Sequence, residues 1–280
     1  MQGILYIVGT PIGNLGDMSP RAVQTLADVD FIAAEDTRVT LKLLNHFDIH
    51  THLISYHEHN RAEKGPGIVE RILAGENCAL VTDAGMPVIS DPGQDLIKLC
   101  HESSITVQTV PGPSAVVTAL ALSGLGVARF SFEGFLSQNK PSRRAHLEEI
   151  KSEKKAMVFY EAPHKLAATL HDLHAALGDR KIAIIKELTK IHEGIELTTL
   201  GEADGKYDGV KLKGEYVIVI DAKPESETKE DAPDPLETAR QLLASGMSIN
   251  DASKTAAKIC GVKKNDIYAR LCEEKNGNGE

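Results

Sequence analysis

Two apolar runs, Ala79-Leu80-Val81-Thr82 and Thr106-Val107-Gln108-Thr109-Val110, are each followed at once by a glycine-proline loop and then by a helical pattern. The loops are Asp83-Ala84-Gly85-Met86-Pro87 and Pro111-Gly112-Pro113-Ser114, and a third, Ser90-Asp91-Pro92-Gly93, opens the helix between the two runs. Strand, loop, helix in this rhythm confines a chain to a parallel sheet with helices on its faces. In open α/β sheets, ligands bind at the carboxyl ends of the strands. Glycine there lets the backbone approach a ligand, proline fixes the loop's shape, and helix starts offer free N–H donors. Gly, Pro, Asp and Ser are also ordinary turn and cap residues, so any one loop reads equally well as a plain turn. Three in succession point to a small-molecule pocket.

A fourth loop, Gly9-Thr10-Pro11-Ile12-Gly13-Asn14-Leu15-Gly16, follows the run Ile4-Leu5-Tyr6-Ile7-Val8. It precedes a helix signalled by Ser19 as N-cap and Pro20 at its first position. Its spacing matches neither G-x-G-x-x-G nor G-x-x-x-x-G-K-[S/T], which argues against NAD and ATP.

The chain has 280 residues, 42% hydrophobic and 25% charged, which is enough for two domains with real cores. Met1 leads almost directly into a strand, and the most apolar stretch, Val107 to Val127, is interrupted by Pro111, Gly112 and Pro113. A cytoplasmic protein without a membrane segment is therefore expected. Cys78, Cys100, Cys260 and Cys272 show no C-x-x-C pairing and read as reduced, structural residues. His50, His52, His57 and His59 lie close in sequence, but without an H-E-x-x-H helix or a cysteine partner, and no metal is expected. The net charge of −9 argues against nonspecific coating of nucleic acid, although the segment from Lys140 to Lys165 is locally basic.

Residues 1–122 alternate strand and helix, with strands predicted at 4–8, 29–34, 52–56, 78–83 and 106–110. A second α/β domain spans 123–221, with strands at 129–134, 156–161, 181–187, 194–200 and 215–221 and helices near 142–151 and 163–177. No helix is expected between its last three strands, which implies some antiparallel pairing. Residues 222–235 are acidic, proline-containing and free of large apolar side chains, and read as a linker. Residues 236–275 carry three short helical patterns, the second opened by Ser248. Two readings fit them: a helix-turn-helix unit, or a plain three-helix appendage. Their seven basic and five acidic residues do not decide between the two.

Six segments, in order, resemble the tetrapyrrole methylase superfamily, the class III S-adenosylmethionine-dependent methyltransferases. They are Val8 to Leu15, Ala34 to Arg38, Thr82 to Gly93, Pro111 to Ala115, Tyr160 to Leu166 and Lys186 to Lys190. Within the superfamily they look like the bacterial branch that methylates the 2′-hydroxyl of a cytidine ribose in 16S ribosomal RNA of the small subunit. The resemblance covers nearly the whole chain, the terminal helical unit included. Tetrapyrrole-directed members carry a second glycine near Thr10 and an acidic residue near Asn14, which this chain lacks. Methyl transfer to a tetrapyrrole or a protein side chain, and a non-enzymatic ligand-sensing nucleic-acid binder, are the competing functional readings.

The resemblance implies two α/β domains with S-adenosylmethionine folded into the cleft between them, and usually a homodimer. It implies donor contacts from Pro11, from Asp83, Ala84, Gly85 and Met86, from Ser90, Asp91 and Pro92, and from Pro113, Ser114 and Ala115. Tyr160, Glu161, Glu187, Leu188 and Thr189 would wall the adenine side. Methyl transfer to a ribose hydroxyl needs alignment above all, about 7 to 11 kcal/mol of barrier reduction, with a general base adding roughly 10² to 10⁴-fold. Glu35, Asp36, Asp83 and Lys186 are the candidate catalytic residues, unranked; for Glu35-Asp36-Thr37 helix capping is the competing explanation. Arg38, Lys140, Arg143, Arg144 and Lys165 are the candidate contacts to RNA phosphates, against a solvated helix face.

Overall fold

A computed structural model describes residues 2–223 and 234–277, so most of the expected linker, 224–233, lies outside the described residues. Its first sheet contains β1 (Ile4–Val8), β2 (Phe31–Ala34), β3 (His52–Ser55), β4 (Cys78–Val81) and β5 (Thr106–Val110). All are parallel, in the order β3-β2-β4-β1-β5. Every residue of β2 and β4 is buried, which is why these strands read as unbroken apolar runs rather than alternations. One face packs Leu5, Phe31 and Leu80 on α3 (Arg61–Leu73) and α4 (Gln94–Glu102). The other packs Val8, Ile32 and Val81 on α1 (Pro20–Asp28) and α2 (Thr37–His46). Ser19 caps α1 by accepting from Ala22 N–H at 3.1 Å, with Pro20 at its first position. Cys78 and Cys100 are buried free thiols within the first face's core, and burial pushes Cys100 up to about 11.

The sheet order has a functional consequence. Because β4, β1 and β5 are neighbours, three loops separated by up to a hundred residues emerge side by side at one edge.

The second sheet contains β6 (Phe130–Gly134), β7 (Ala156–Glu161), β8 (Lys181–Lys186), β9 (Gly194–Thr199) and β10 (Tyr216–Ile220), in the order β6-β7-β10-β8-β9. Only β6 and β7 are parallel; β7–β10, β10–β8 and β8–β9 are antiparallel. Helices α6 (Lys140–Ile150) and α7 (Leu166–Leu177) belong to this half. Two features differ from expectation. A one-turn helix, α8 (Leu200–Ala203), sits between β9 and β10, capped by Thr199. Four residues are too few to show a 3.6-residue period. Helix α5 (Ala115–Ser123), which the sequence assigns to the first domain, buries Val116, Ala119 and Leu120 against Val158, Ala183 and Val217 of the second sheet.

The terminal unit is three helices, α9 (Pro235–Ala244), α10 (Ile249–Cys260) and α11 (Lys264–Gly277), around Ala239, Ala256, Ala257, Ile267 and Leu271. Ser248 caps α10 through the Asp251 N–H at 3.2 Å, and Gly261 closes it in the left-handed conformation.

Candidate active site

The loops after β1, β4 and β5 are tied directly to one another. Thr10 and Gly85 exchange backbone hydrogen bonds of 2.9 and 3.1 Å, and the Thr10 hydroxyl donates to the Thr82 carbonyl at 3.1 Å. Gly9 and Gly112 meet backbone to backbone: a Cβ on Gly9 would lie 2.7 Å from Gly112 N and Cα. Only glycine fits at this crossing. At the tip of the first loop, Gly13 approaches the Leu188–Lys190 turn so closely that a Cβ would meet Lys190 Cγ at 2.5 Å. The first sheet's edge is thereby joined to the second.

A cavity of about 360 Å³ lies in the resulting cleft. The first sheet's loops contribute Ile12, then Ala84, Gly85 and Met86, then Ile89, Ser90 and Asp91, and finally Ser114 and Ala115. The second half contributes Tyr160, Glu161, Leu188 and Tyr216, among others. Four of the six non-glycine residues with positive φ among the described residues belong to its loops: Val88 (79°), Ser90 (68°), Glu187 (52°) and Thr189 (65°). Such conformations cost of order 1–3 kcal/mol each and cluster where a ligand is gripped.

Ten of the sequence-predicted donor contacts line this cavity: Ala84, Gly85, Met86, Ser90, Asp91, Ser114, Ala115, Tyr160, Glu161 and Leu188. Pro11 and Asp83 instead line a second, smaller cavity. Pro92, Pro113, Glu187 and Thr189 line neither and shape the loops. Glu187 accepts from Lys190 Nζ and from Glu215 N–H, both at 2.9 Å, and Thr189 N–H donates to Glu193. Sequence reasoning missed Phe135, Tyr216 and Ile89, whose only signal is apolar character.

Four carboxylates gather at the edge. Asp36 N–H donates to Asp83 Oδ1 at 3.2 Å and Asp83 N–H to Glu35 Oε2 at 3.4 Å, so the β2 and β4 ends clasp each other. Burial raises both Glu35 and Asp83 above the usual range, against these same N–H groups, which lower them. Asp91 goes furthest: burial, reinforced by the Glu35 and Asp83 charges, pushes it up to about 7. Asp36 moves the other way, to about 2, because Arg38 donates to it through Nε and Nη2. Asp36 also accepts from Arg38 N–H at 2.8 Å, which makes it the N-cap of α2. Burial pushes the Tyr160 phenol up to about 12, with the Asp91 charge adding to it. Lys186 sits at the end of β8 opposite Tyr216 and lines neither cavity.

Of the predicted phosphate contacts, Lys140 and Arg144 are exposed and make no ion pair among the described residues, and Lys165 is half-buried at the start of α7. Arg38 is 87% exposed although it pairs with Asp36. Arg143 is committed elsewhere. Its Nε donates to Asp172 at 2.6 Å and its Nη2 to Thr169 Oγ1 at 2.9 Å, and that hydroxyl donates to the buried Glu161 carboxylate at 2.5 Å. Glu161 also accepts from Ala162 N–H, so Arg143 steadies the cavity wall from behind.

The tetrapyrrole (corrin/porphyrin) methylase model matches residues 4–204, which span the first sheet, four of the five strands of the second and every lining residue of the cavity except Glu215, Tyr216 and Val217. This chain belongs to the tetrapyrrole methylase family. A second model, the RsmI C-terminal HTH domain, matches residues 229–275 of this methylase and favours the helix-turn-helix reading of its terminal helices. Relatives named ribosomal RNA small subunit methyltransferase I include the Synechocystis protein, 46% identical, covering 95% of this chain and 96% of its own. That of Escherichia coli O157:H7 is 42% identical, covering 98% and 96%. Among solved structures, diphthine synthase superposes with a TM-score of 0.60 at 13% identity, covering 78% of this methylase and 89% of that chain. Uroporphyrin-III C-methyltransferase from Thermus thermophilus, complexed with S-adenyl homocysteine, gives 0.55 at 14%, covering 78% and 97%.

Proposed function

We propose that this methylase transfers a methyl group from S-adenosylmethionine to the 2′-hydroxyl of a cytidine ribose in 16S ribosomal RNA of the small subunit. Relatives above 40% identity over nearly their whole length carry the ribosomal assignment. The observation that carries the donor assignment is the cleft cavity, whose lining suits this molecule part by part. Its walls are mainly apolar, with Tyr160 and Leu188 facing Ile12 and Met86. Asp91 supplies a half-buried carboxylate for a cationic ligand, and α5 begins at the cavity with no side chain capping its N–H groups. When bound, the donor supplies an electrophilic methyl on a sulfonium. The protein aligns the acceptor, excludes water and receives the hydroxyl proton, for which Asp83 and Glu35, both raised, are the proposed acceptors. Lys140, Arg144, Lys165 and Arg38 meet phosphates, and Arg143 braces Glu161.

Among the described residues no helix is long and apolar enough to cross a membrane, consistent with action on ribosomes in the cytoplasm. A homodimer is favoured by exposed Ile191, Ile195 and Leu197 at and beside the edge strand β9. The test is incubation with unmethylated small subunits and methyl-labelled donor, followed by mass-spectrometric mapping of ribose methylation. One labelled cytidine is expected; no incorporation into any ribosomal RNA refutes the proposal.

A further inference from the structure

The charged side chains lining the cleft cavity are all of one sign. Asp91, Glu161 and Glu215 line it, and among the described residues no lysine, arginine or histidine does. Two of the three charges are answered from outside. Glu215 is 79% exposed and pairs with Lys190 at 2.7 Å. Glu161 is held by the Thr169 hydroxyl and the Ala162 N–H, with Arg143 behind them. Asp91 makes no ion pair among the described residues. Burial and the charges that face it, Glu35 and Asp83 from the ends of β2 and β4, disfavour its ionised form and push it up to about 7. From β7 the Tyr160 phenol faces it as well. An ionised Asp91 therefore lacks a cation, and a cationic ligand in the cavity supplies one.

We propose that this one-signed lining makes the cavity select the cationic methyl donor over the neutral thioether that transfer leaves behind, with Asp91 as the residue that sets the preference. The inference rests on the donor reading above. In transfer the carbon–sulfur bond breaks with its electron pair left on sulfur. An oxygen–methyl bond forms from a hydroxyl lone pair, and the hydroxyl proton passes to the accepting carboxylate. The sulfonium thus enters with one positive charge and the thioether leaves with none, while the amino, carboxyl, ribose and adenine groups are common to both. Shape and hydrogen bonding hold the two alike, and a charge facing the cavity tells them apart. Apolar walls sharpen the distinction, because they keep the local dielectric low. The uncapped N–H groups that open α5 reach the same cavity, but the anionic group they suit is present in both molecules. The lining that draws in the donor therefore loosens the spent molecule, a step that limits turnover in many enzymes.

The test is calorimetric titration of the full-length protein with S-adenosylmethionine, with S-adenosylhomocysteine, and with an analogue that carries a protonated amine in place of the sulfonium. At pH 8 the donor and the amine analogue are expected to bind on the order of ten-fold more tightly than the product, the strength of one partly screened ion pair. At pH 6, where Asp91 holds its proton, that ratio should shrink to below about three-fold. Asp91→Asn should bring donor affinity down to that of the product at both pH values and leave product affinity within about two-fold. Glu215→Gln, whose exposed charge Lys190 already answers, should move the ratio by less than about two-fold. Equal affinity for donor and product in the wild type at pH 8, tighter binding of the product, or an Asp91→Asn variant that loses both ligands alike overturns the inference. If the wild type binds neither molecule, the donor reading falls with it.

Discussion

The crossing of Gly9 and Gly112 is a point where one methyl group should disable both the fold's edge and its cavity. A Cβ on Gly9 would lie 2.7 Å from Gly112 N and Cα and 2.7 Å from Met86 Sδ, against 3.4 Å for ordinary contact, so the backbone must part by 0.7 Å. The strands cannot simply separate, because Gly9 N–H donates to the Val110 carbonyl at 3.0 Å and Gly112 N–H to Met86 Sδ at 3.3 Å. Overpacking of this kind costs about 1–3 kcal/mol. For a chain of this size each kcal/mol lowers the thermal midpoint by roughly 2–4 °C, giving a fall of about 2–12 °C for Gly9→Ala. Met86, Ser114 and Ala115 line the cleft cavity proposed to hold the donor, on the displaced loops, and misplacement near 1 Å costs on the order of 10²-fold in rate. Gly67→Ala is the control: it lies in α3 with nothing within 4 Å of its Cβ, and should gain about 0.5–1 kcal/mol. Urea and thermal unfolding, with calorimetric titration of the donor, measure both effects. Gly9→Ala with wild-type stability and wild-type donor affinity would refute the reasoning.

Two further outcomes follow from the buried polar groups. Asp91 has a folded-state pKa of about 7, above its ordinary value near 3.8, so the folded protein holds this proton more tightly than the unfolded chain. Its contribution to stability is therefore greatest below about pH 4 and declines as pH rises to about 7; Asp91→Asn should gain on the wild type over that interval and keep a constant advantage above it. Thermal midpoints of both proteins from pH 4 to 8 check this, and a difference independent of pH contradicts it. Thr169→Val should cost about 2–3 kcal/mol in urea unfolding despite its equal shape, because the buried Glu161 carboxylate loses a donor and Arg143 an acceptor. Arg144→Ala, exposed and without an ion pair among the described residues, should stay within about 0.5 kcal/mol; equal losses for the two would argue against the network.

The parallel sheet was legible because β1, β4 and β5 each announce themselves twice, by an apolar run and by the glycine-proline loop that ends it. Asp36 was legible as a cap because capping is local, two residues from its N–H partner. Arg143 was not. Its sequence neighbours are basic, and its true partners lie 26 and 29 residues away on the next helix. Helix α5 lies almost wholly within residues 1–122 yet packs on the second sheet, which its sequence could not announce for a related reason. It is apolar on nearly every side, so its pattern names no partner sheet, and only tertiary packing sends Val116 and Leu120 against β8 and β10. Phe135 and Tyr216 reached the cavity without any signal beyond hydrophobicity.

The least legible feature is also the one on which the site depends. Strand order places β1 between β4 and β5, so segments 9–13, 82–86 and 111–115 form a single wall held by the Thr10–Gly85 bridge and the Gly9–Gly112 crossing. A loop segment held extended by such a bridge presents neighbouring residues to opposite sides, as a strand does. That one set of loops lines two cavities is then a consequence of the backbone and not of separate construction. Glycine at the crossings sets how closely the loops approach, and Asp83 lines the smaller cavity while its neighbour Ala84 lines the larger. A ligand held between loops tied to one another in this way is positioned by the fold itself, and alignment is the larger part of what a methyl transfer to a weakly acidic hydroxyl requires.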